Sequence, residues 1–416
     1  MTGDITDVTD TMWHQYATAL LWEAVGDDFD AATQAFSVSS ILLFVDVAAV
    51  DPARANYAVF RLGNNIPPWS GSYVAASNLF TSYWTFLAYI DLAQLAPAPL
   101  RQEVATAQAV VRRQLAQVIQ DVQRRHQGWT KPTRGGPQSE SAQLLDLRYL
   151  GSDITGLRKA AASRARHQPA ETEGDTDAID AVIDALSRCQ TAASPVEPSR
   201  LNMPVKLSAT AIDAYVPAYR LPGLAESYLQ WQANAKQGII AKTIGVQADD
   251  ADASPALGKL AAHTQPSVPF VSQTSPLAAV ASSSDYQMVV DFAGFGVLSI
   301  EPGDWFEFEL IGAYKGKLSP DPPHFFGEGG SMALLPEQAI LGFQPKLRIS
   351  AVTTDAFATL KDATINLARQ PAAFGPFVLG EESAPAPSVN DAARHVTFAP
   401  PPTTLPTLLG VISKKL

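Results

Sequence analysis

The spacing of apolar positions changes from helical to strand-like along the chain. Between about Leu100 and His126, apolar residues recur three or four positions apart, with polar residues between them. This pattern predicts one long helix whose apolar stripe packs against a neighbour. The same periodicity predicts further helices at 176–189 and 224–236. The segment 72–93 also suits a helix, but it is apolar on more than one side, so this helix is expected to be central or inserted. The first half of the chain is therefore predicted to be mainly helical.

After residue 276, short segments rich in aromatic and β-branched residues predict strands. These segments are Tyr286–Phe292, Gly296–Ile300, Trp305–Ile311, Ala339–Phe343, Lys346–Val352 and Leu408–Ser413. In Trp305–Ile311, apolar and acidic residues alternate, which is typical of a strand with one solvated face. The segment Glu301–Asp304 is predicted to form a tight hairpin turn. One helix, Thr354–Leu367, is predicted to interrupt the strands.

Polar segments rich in glycine or proline predict the breaks between units. Loops are expected at 128–148 and 167–175, and a Ser/Thr/Pro-rich linker at 247–276. We therefore predict a helical domain at 1–246 and a β-rich domain at 277–416. The fold class is predicted to be multidomain α+β, with a mostly helical N-terminal unit followed by a sandwich-like β-rich unit containing one inserted helix.

Charge and cysteine content narrow the classes of partner and compartment. The net charge of -11 opposes binding to nucleic acid, because such binding depends on basic residues that neutralise phosphates. The one cysteine, Cys189, excludes an intramolecular disulfide. The first 16 residues carry three aspartates where a secretory signal needs positive charge and an apolar core. We expect a soluble protein that is cytoplasmic, or exported without a classical signal peptide.

The sequence contains none of the common local signatures of hydrolase, nucleotide, dinucleotide or zinc-protease sites. The patterns GxSxG, GxxxxGK[ST], GxGxxG and HExxH are all absent. Asp27, Asp28 and Asp30 form DDxD, which differs from the DDxxD of class I terpene synthases, and no second metal motif follows. We therefore predict no cofactor and no metal site.

An uncharged segment rich in aromatic residues runs from Leu62 to Ile90. Its aromatic residues are Trp69, Tyr73, Phe80, Tyr83, Trp84, Phe86 and Tyr89. Its length could cross a bilayer, but its many Asn, Ser and Thr side chains argue against permanent spanning. Three interpretations remain open, namely a buried core helix, a helix that inserts into membranes conditionally, and the lining of a pocket for a small apolar ligand.

The loop at 322–330 combines an imidazole, a carboxylate, two aromatic rings and three glycines. His324 and Glu328 are candidates for acid–base catalysis because they lie four positions apart. Phe325 and Phe326, together with Trp305, are candidates for binding a partner. The alternative is a structural loop between two strands whose phenylalanines pack inward.

Three classes of function are compatible with these features. The first is a non-enzymatic interaction protein that binds a protein, a glycan or itself, as an oligomer, through the β-rich unit. The second is a leaderless, pore-forming-like membrane-active protein that uses helix 72–93. The third is an enzyme for a small apolar molecule, with the His324 loop as its lid or its source of acid–base groups.

Overall fold

The computed structural model describes most of the chain. The described residues are 6–39, 42–47, 51–69, 71–73, 76–127, 173–193, 200–206, 213–246, 271, 275–281, 283–367, 369, 371–380, 384–399 and 405–416. The predicted loop at 128–148 and most of those at 167–175 and 247–276 lie outside these residues. The division into units at 247–276 therefore stays a prediction.

Helices and strands are both abundant, and the fold is α+β as predicted. The helices are α1 (Thr6–Val25), α2 (Pro52–Asn64), α3 (Leu79–Tyr89), α4 (Leu92–Leu95), α5 (Arg101–Gln127), α6 (Glu173–Ala192), α7 (Leu224–Gln237), α8 (Ala278–Ala281), α9 (Phe308–Tyr314) and α10 (Thr354–Leu367). The strands are β1 (Gln34–Ser39), β2 (Asn65–Ile66), β3 (Ser72–Tyr73), β4 (Ser77–Asn78), β5 (Asn202–Lys206), β6 (Asp213–Pro217), β7 (Tyr219–Arg220), β8 (Lys242–Val246), β9 (Tyr286–Ser299), β10 (Glu301–Pro302), β11 (Leu334–Ala351), β12 (Ala372–Phe374), β13 (Phe377–Leu379), β14 (Ser388–Asn390), β15 (His395–Phe398) and β16 (Thr407–Lys415).

The main sheet is organised around the long strand β11. From Gln338 to Ala351, β11 pairs antiparallel with β9, which in turn pairs with β8. On its other side, the first half of β11 pairs with β16, and the second half pairs with β15. Beyond β16 lie β1 and then β3, whereas β14 lies beyond β15. The N-terminal strand β1 thus joins the sheet beside the C-terminal strand β16.

Both faces of this sheet are buried. Ile340 and Leu341 belong to different core clusters, as do Leu408 and Leu409, because successive side chains of a strand point to opposite faces. One face carries helices α2, α3, α5, α6 and α7. The other face carries α1, α8, α10 and the β12–β13 hairpin.

Four predicted helices are confirmed, in α5, α6, α7 and α10. The fifth, at 72–93, is shorter than predicted. Asn78 begins α3 by accepting a hydrogen bond from the backbone N–H of Thr81, and short strands precede it. The helix ends at Tyr89. The N–H of Ile90 still donates to carbonyls of the last helical turn, whereas that of Asp91 donates to the carbonyl of Lys317.

One predicted strand and one predicted turn need correction. Trp305–Ile311 is not a strand, because α9 begins at Phe308 and the ring of Trp305 is buried, with its Nε1 donating to the carbonyl of Ala218. Glu301 and Pro302 do not turn into a hairpin but pair with Tyr219–Arg220. In both places a contact distant in sequence overrides the local pattern.

Two pairs of predicted strands are each one continuous strand. Tyr286–Phe292 and Gly296–Ile300 fall within β9 or at its end, and Ala339–Phe343 and Lys346–Val352 do the same with β11. The glycines that suggested a break in β9 instead allow an aromatic ring of α7 to lie against the strand.

Candidate functional site

The loop that contains His324 connects α9 to β11 and does not lie between two strands as predicted. Phe325 is only 2% exposed and meets the rings of Phe86 and Tyr89 edge-on. The loop backbone is closed by hydrogen bonds from Ser331 N to His324 O (2.9 Å) and from Met332 N to Phe325 O (2.7 Å). These contacts fasten the loop onto helix α3.

The two polar side chains of this loop point away from that anchor. His324 and Glu328 are both exposed, whereas Phe326 is half-buried against Phe86. An exposed imidazole and carboxylate are not shielded from water, and shielding is what strengthens electrostatic contributions in an active site. Phe325 thus fills a space in the core, and the polar side chains of the loop face solvent.

The aromatic segment forms the centre of the core on the helical face of the sheet. Phe80, Tyr83, Trp84 and Phe86 are fully buried on α3, and Tyr73 is buried as well. The two remaining rings are half-buried beneath cations, with Lys415 Nζ 5.3 Å from the ring centre of Trp69 and the Arg112 guanidinium 5.4 Å from that of Tyr89. The segment is therefore packed on its apolar sides by the protein itself.

Trp305 is completely buried in the same cluster. Its ring packs edge-on against Phe80 at 5.1 Å and Tyr219 at 5.5 Å between ring centres. The indole Nε1 donates to the carbonyl of Ala218 at 2.9 Å, so the ring's polar atom is also bonded inside the protein. Trp305 thus joins α3 to the segment before α9.

A polar cluster beside Trp305 was not predicted from the sequence. Arg188 of α6 forms an ion pair with Glu307, and the hydroxyl of Tyr83 donates to Glu307 O and accepts from Glu307 N. Burial raises the pKa of the Tyr83 hydroxyl and that of the Cys189 thiol. Because the thiolate is the nucleophilic form, Cys189 is chemically quiet in this environment.

Within the described part of the chain, no helix has both the length and the apolar character needed to cross a membrane. Helix α3 itself has 11 residues.

One aspartate of the DDxD segment, Asp30, has a structural role. Asp30 closes the turn before β1, because its carboxylate accepts from Ala32 N at 2.9 Å and from Thr33 Oγ1 at 2.8 Å. Among the described residues, no group of three or more His, Cys, Asp or Glu side chains is arranged to hold a metal ion.

Three large apolar residues are exposed on the elements that flank strand β8. Trp22 on α1 and Ile239 and Ile240 after α7 are between 45% and 56% exposed, which is high for such large apolar side chains. Glu23 and Lys242, which adjoin these residues in sequence, form an ion pair with 2.5 Å between Oε2 and Nζ. The pair links α1 to β8, and we call Trp22, Ile239 and Ile240 the β8 patch.

Strand β8 is also an edge strand of the main sheet. It pairs with β9 from Lys242 to Val246, and within the described residues no strand pairs with its other side. Thr243 and Gly245 are exposed on this strand, whereas Ile244 is buried beneath α1. An edge of this kind presents backbone groups that can pair with another strand.

Comparisons with protein families, with curated proteins and with solved structures give no match for this chain. Its function is therefore inferred from the geometry described above.

Proposed function

We propose that the protein is a non-enzymatic interaction protein that self-associates through the β8 patch and the adjoining edge of strand β8. The observation that supports the proposal is that three large apolar residues are exposed on the two elements that flank an edge strand, Trp22 on α1 and Ile239 and Ile240 in the segment that leads into β8. A partner that covers these residues removes their apolar surface from water. This burial stabilises the complex by roughly 25 cal/mol per Å² of apolar surface.

A second copy of the chain fits the chemistry of this surface. Antiparallel pairing of two β8 edges across a two-fold axis would bring both β8 patches into one interface. Each copy would bring the ion pair of Glu23 and Lys242 to the interface. Because this pair contains one negative and one positive charge, the two copies would not face each other with charges of one sign only. Most closed homo-oligomers use this kind of self-complementary contact.

The arrangement of the interior also favours binding over catalysis. The aromatic residues that could line a substrate pocket are packed against one another, and Phe325 fills the space beside Phe86 and Tyr89. His324 and Glu328 lie on the solvent-exposed side of the same loop. A pocket for a small apolar molecule would need these rings to separate, at the loss of their contacts.

Sedimentation velocity over a wide range of protein concentration tests the proposal. We expect the mass of the wild-type chain to rise from 44.4 kDa toward twice that value, and a Trp22→Ser/Ile240→Ser variant to remain monomeric. Ile365→Ser is the matched control, because Ile365 is equally large and exposed but lies on α10. A wild-type chain that stays monomeric throughout, or a double variant that dimerises normally, would contradict the proposal.

A further inference from the structure

A cleft separate from the β8 patch lies where the segment after β1, helix α2 and the end of β5 meet. Its volume is about 150 Å³, and three cationic side chains, Arg54, Arg61 and Lys206, line it. One carboxylate, Asp46, also lines the cleft. The cleft is therefore locally basic in a chain whose net charge is -11.

Local structure brings these cations together. Arg54, Tyr57 and Arg61 follow one another at spacings of three and four, which places them on one face of α2. Asn56 Nδ2 donates to the carbonyl of Pro204 at 2.8 Å and so fastens α2 to β5, which carries Lys206. The convergence of three cations thus depends on both the helix repeat and a tertiary hydrogen bond.

The carboxylates nearby are held partly by other groups. Asp51 begins α2 and accepts from the backbone N–H groups of Ala53 and Arg54 at 3.1 and 3.3 Å. Partial burial acts to raise the pKa of Asp51, but the hydrogen bond from Arg54 N and the charge of Lys206 outweigh it and lower that pKa. Asp51 is thus a helix cap as well as a neighbour of Lys206.

The ion pairs around the cleft are loose. Arg54 Nε lies 3.6 Å from Asp46, and Lys206 Nζ lies 3.6 Å from Asp51. Strong charge-assisted hydrogen bonds between such groups are about 2.7–2.9 Å long. Arginine and lysine also carry five and three N–H donors, so these pairs leave donors of Arg54 and Lys206 for a further acceptor.

The guanidinium of Arg61 has a defined position in the cleft. Its central carbon lies 5.9 Å from the ring centre of Tyr57, one turn earlier on α2, and its Nε atom is shielded from solvent. Contact with an aromatic face restricts the orientation of a guanidinium, which lowers the entropy lost when it binds an anion.

We propose that this cleft binds a phosphate group, either free or carried by a small organic molecule. Three cations and one carboxylate line the cleft, and this excess of two positive charges matches a group that carries about two negative charges near neutral pH. The planar guanidinium suits its oxygens. A volume of about 150 Å³ holds roughly five waters, at about 30 Å³ each, which suits a phosphate and a few adjoining atoms. Larger ligands usually occupy about 300 Å³ or more.

Isothermal titration of the full chain with inorganic phosphate and with glycerol 3-phosphate tests the proposal, in chloride buffer of constant ionic strength. We expect saturable binding of at least one of them. Tighter binding of inorganic phosphate would identify free phosphate as the ligand, and tighter binding of glycerol 3-phosphate would identify a phosphate carried by a small organic molecule. Glycerol alone should not bind. Absence of saturable binding by both phosphates would overturn the proposal.

Two variants locate the site. Arg61→Gln and Lys206→Gln should each weaken phosphate binding by about tenfold or more, since each removes charge-assisted hydrogen bonds. Lys361→Gln is the charge-matched control. Lys361 lies on the surface of α10, where it pairs with Asp391, and its substitution should leave the affinity unchanged. Lys206 is part-exposed, so its variant remains informative if Arg61→Gln does not fold. Unchanged affinity in Lys206→Gln would place the phosphate elsewhere and refute this site.

Discussion

The ring of Trp231 lies directly against the backbone of Gly294, so that a Cβ atom at position 294 would come within 2.0 Å of the indole Cγ. The same ring stacks on Phe343 of β11, with 6.4 Å between ring centres. One turn further along α7, Asn234 Nδ2 donates to the carbonyl of Ala293 at 3.1 Å. Helix α7 thus packs on the sheet at Gly294 of β9, where the absence of a side chain lets the ring of Trp231 reach the backbone.

Gly294→Ala should therefore destabilise the fold. The added methyl group overlaps the indole of Trp231, and overpacking of this kind costs about 1–3 kcal/mol in the free energy of unfolding. Gly316→Ala, in the turn after α9, is the control, because a Cβ atom there meets nothing within 4 Å, and its effect should stay within about 0.5 kcal/mol. Urea unfolding measures both; equal effects would show that the contact with Trp231 is not decisive.

The loop after α9 should depend on Phe325 and not on its polar residues. Phe325→Ala removes a buried ring and should cost about 3–5 kcal/mol in the free energy of unfolding. Phe326→Ala should cost less, because that ring is half-buried. His324→Ala and Glu328→Gln change exposed side chains and should stay within about 0.5 kcal/mol. A loss from His324→Ala as large as that from Phe325→Ala would reverse this interpretation of the loop.

Cys189 should be unreactive in the folded protein. The thiol is buried and lies 3.7 Å from the carbonyl of Trp305, and burial raises its pKa, so the reactive thiolate is suppressed. We expect Ellman's reagent to label no thiol in the native chain and one per chain in urea. Stoichiometric labelling of the native protein within minutes would mean that the contact between α6 and Trp305 opens readily.

Glu337 should reduce stability at neutral pH. The register of β11 against β16 shifts between Pro336 and Gln338, so Glu337 is the extra residue of a bulge. Burial raises the pKa of Glu337, and the charge of Lys414 lowers it only partly. A carboxyl with a raised pKa in the folded state binds its proton more tightly there than in the unfolded chain, so stability increases as pH falls through the folded-state pKa.

Glu337→Gln should accordingly unfold at a higher temperature than the wild type at pH 7, and this difference should shrink toward about pH 4, where the carboxyl takes up its proton in both states. Thermal melts over this pH range provide the measurement. Glu309→Gln, which changes an exposed carboxylate on α9, is the control and should alter the melting temperature little. A Glu337→Gln variant that melts lower than the wild type at pH 7 would show that attraction to Lys414 outweighs burial.

Helices with regular apolar spacing could be predicted from the sequence because the information is local. The residues of α5 and α10 that face the core recur every three or four positions, so a short window identifies both the helix and its buried face. The aromatic residues of α3 are also visible in a short window, because aromatic residues are unusually dense there. What they do was left open by the sequence, since a ring that lines a pocket and one that fills a core have the same composition.

Tertiary structure decided the features that depend on distant partners. The alternation at 305–311 resembles a strand, but the residues around it bond to Ala218, Arg188 and Tyr83, and the chain follows those contacts into α9. The glycines of β9 suggested turns, yet they permit the approach of Trp231.

The two proposed binding surfaces were also beyond the reach of the sequence. The β8 patch combines residues more than 200 positions apart, and the basic cleft combines Arg54 and Arg61 with Lys206, about 150 positions away. A single window contains neither set. The sequence determines which segments form helices and which faces are apolar, because these follow from spacing. Which surfaces meet, and which remain exposed, follows only from the packing of the whole chain.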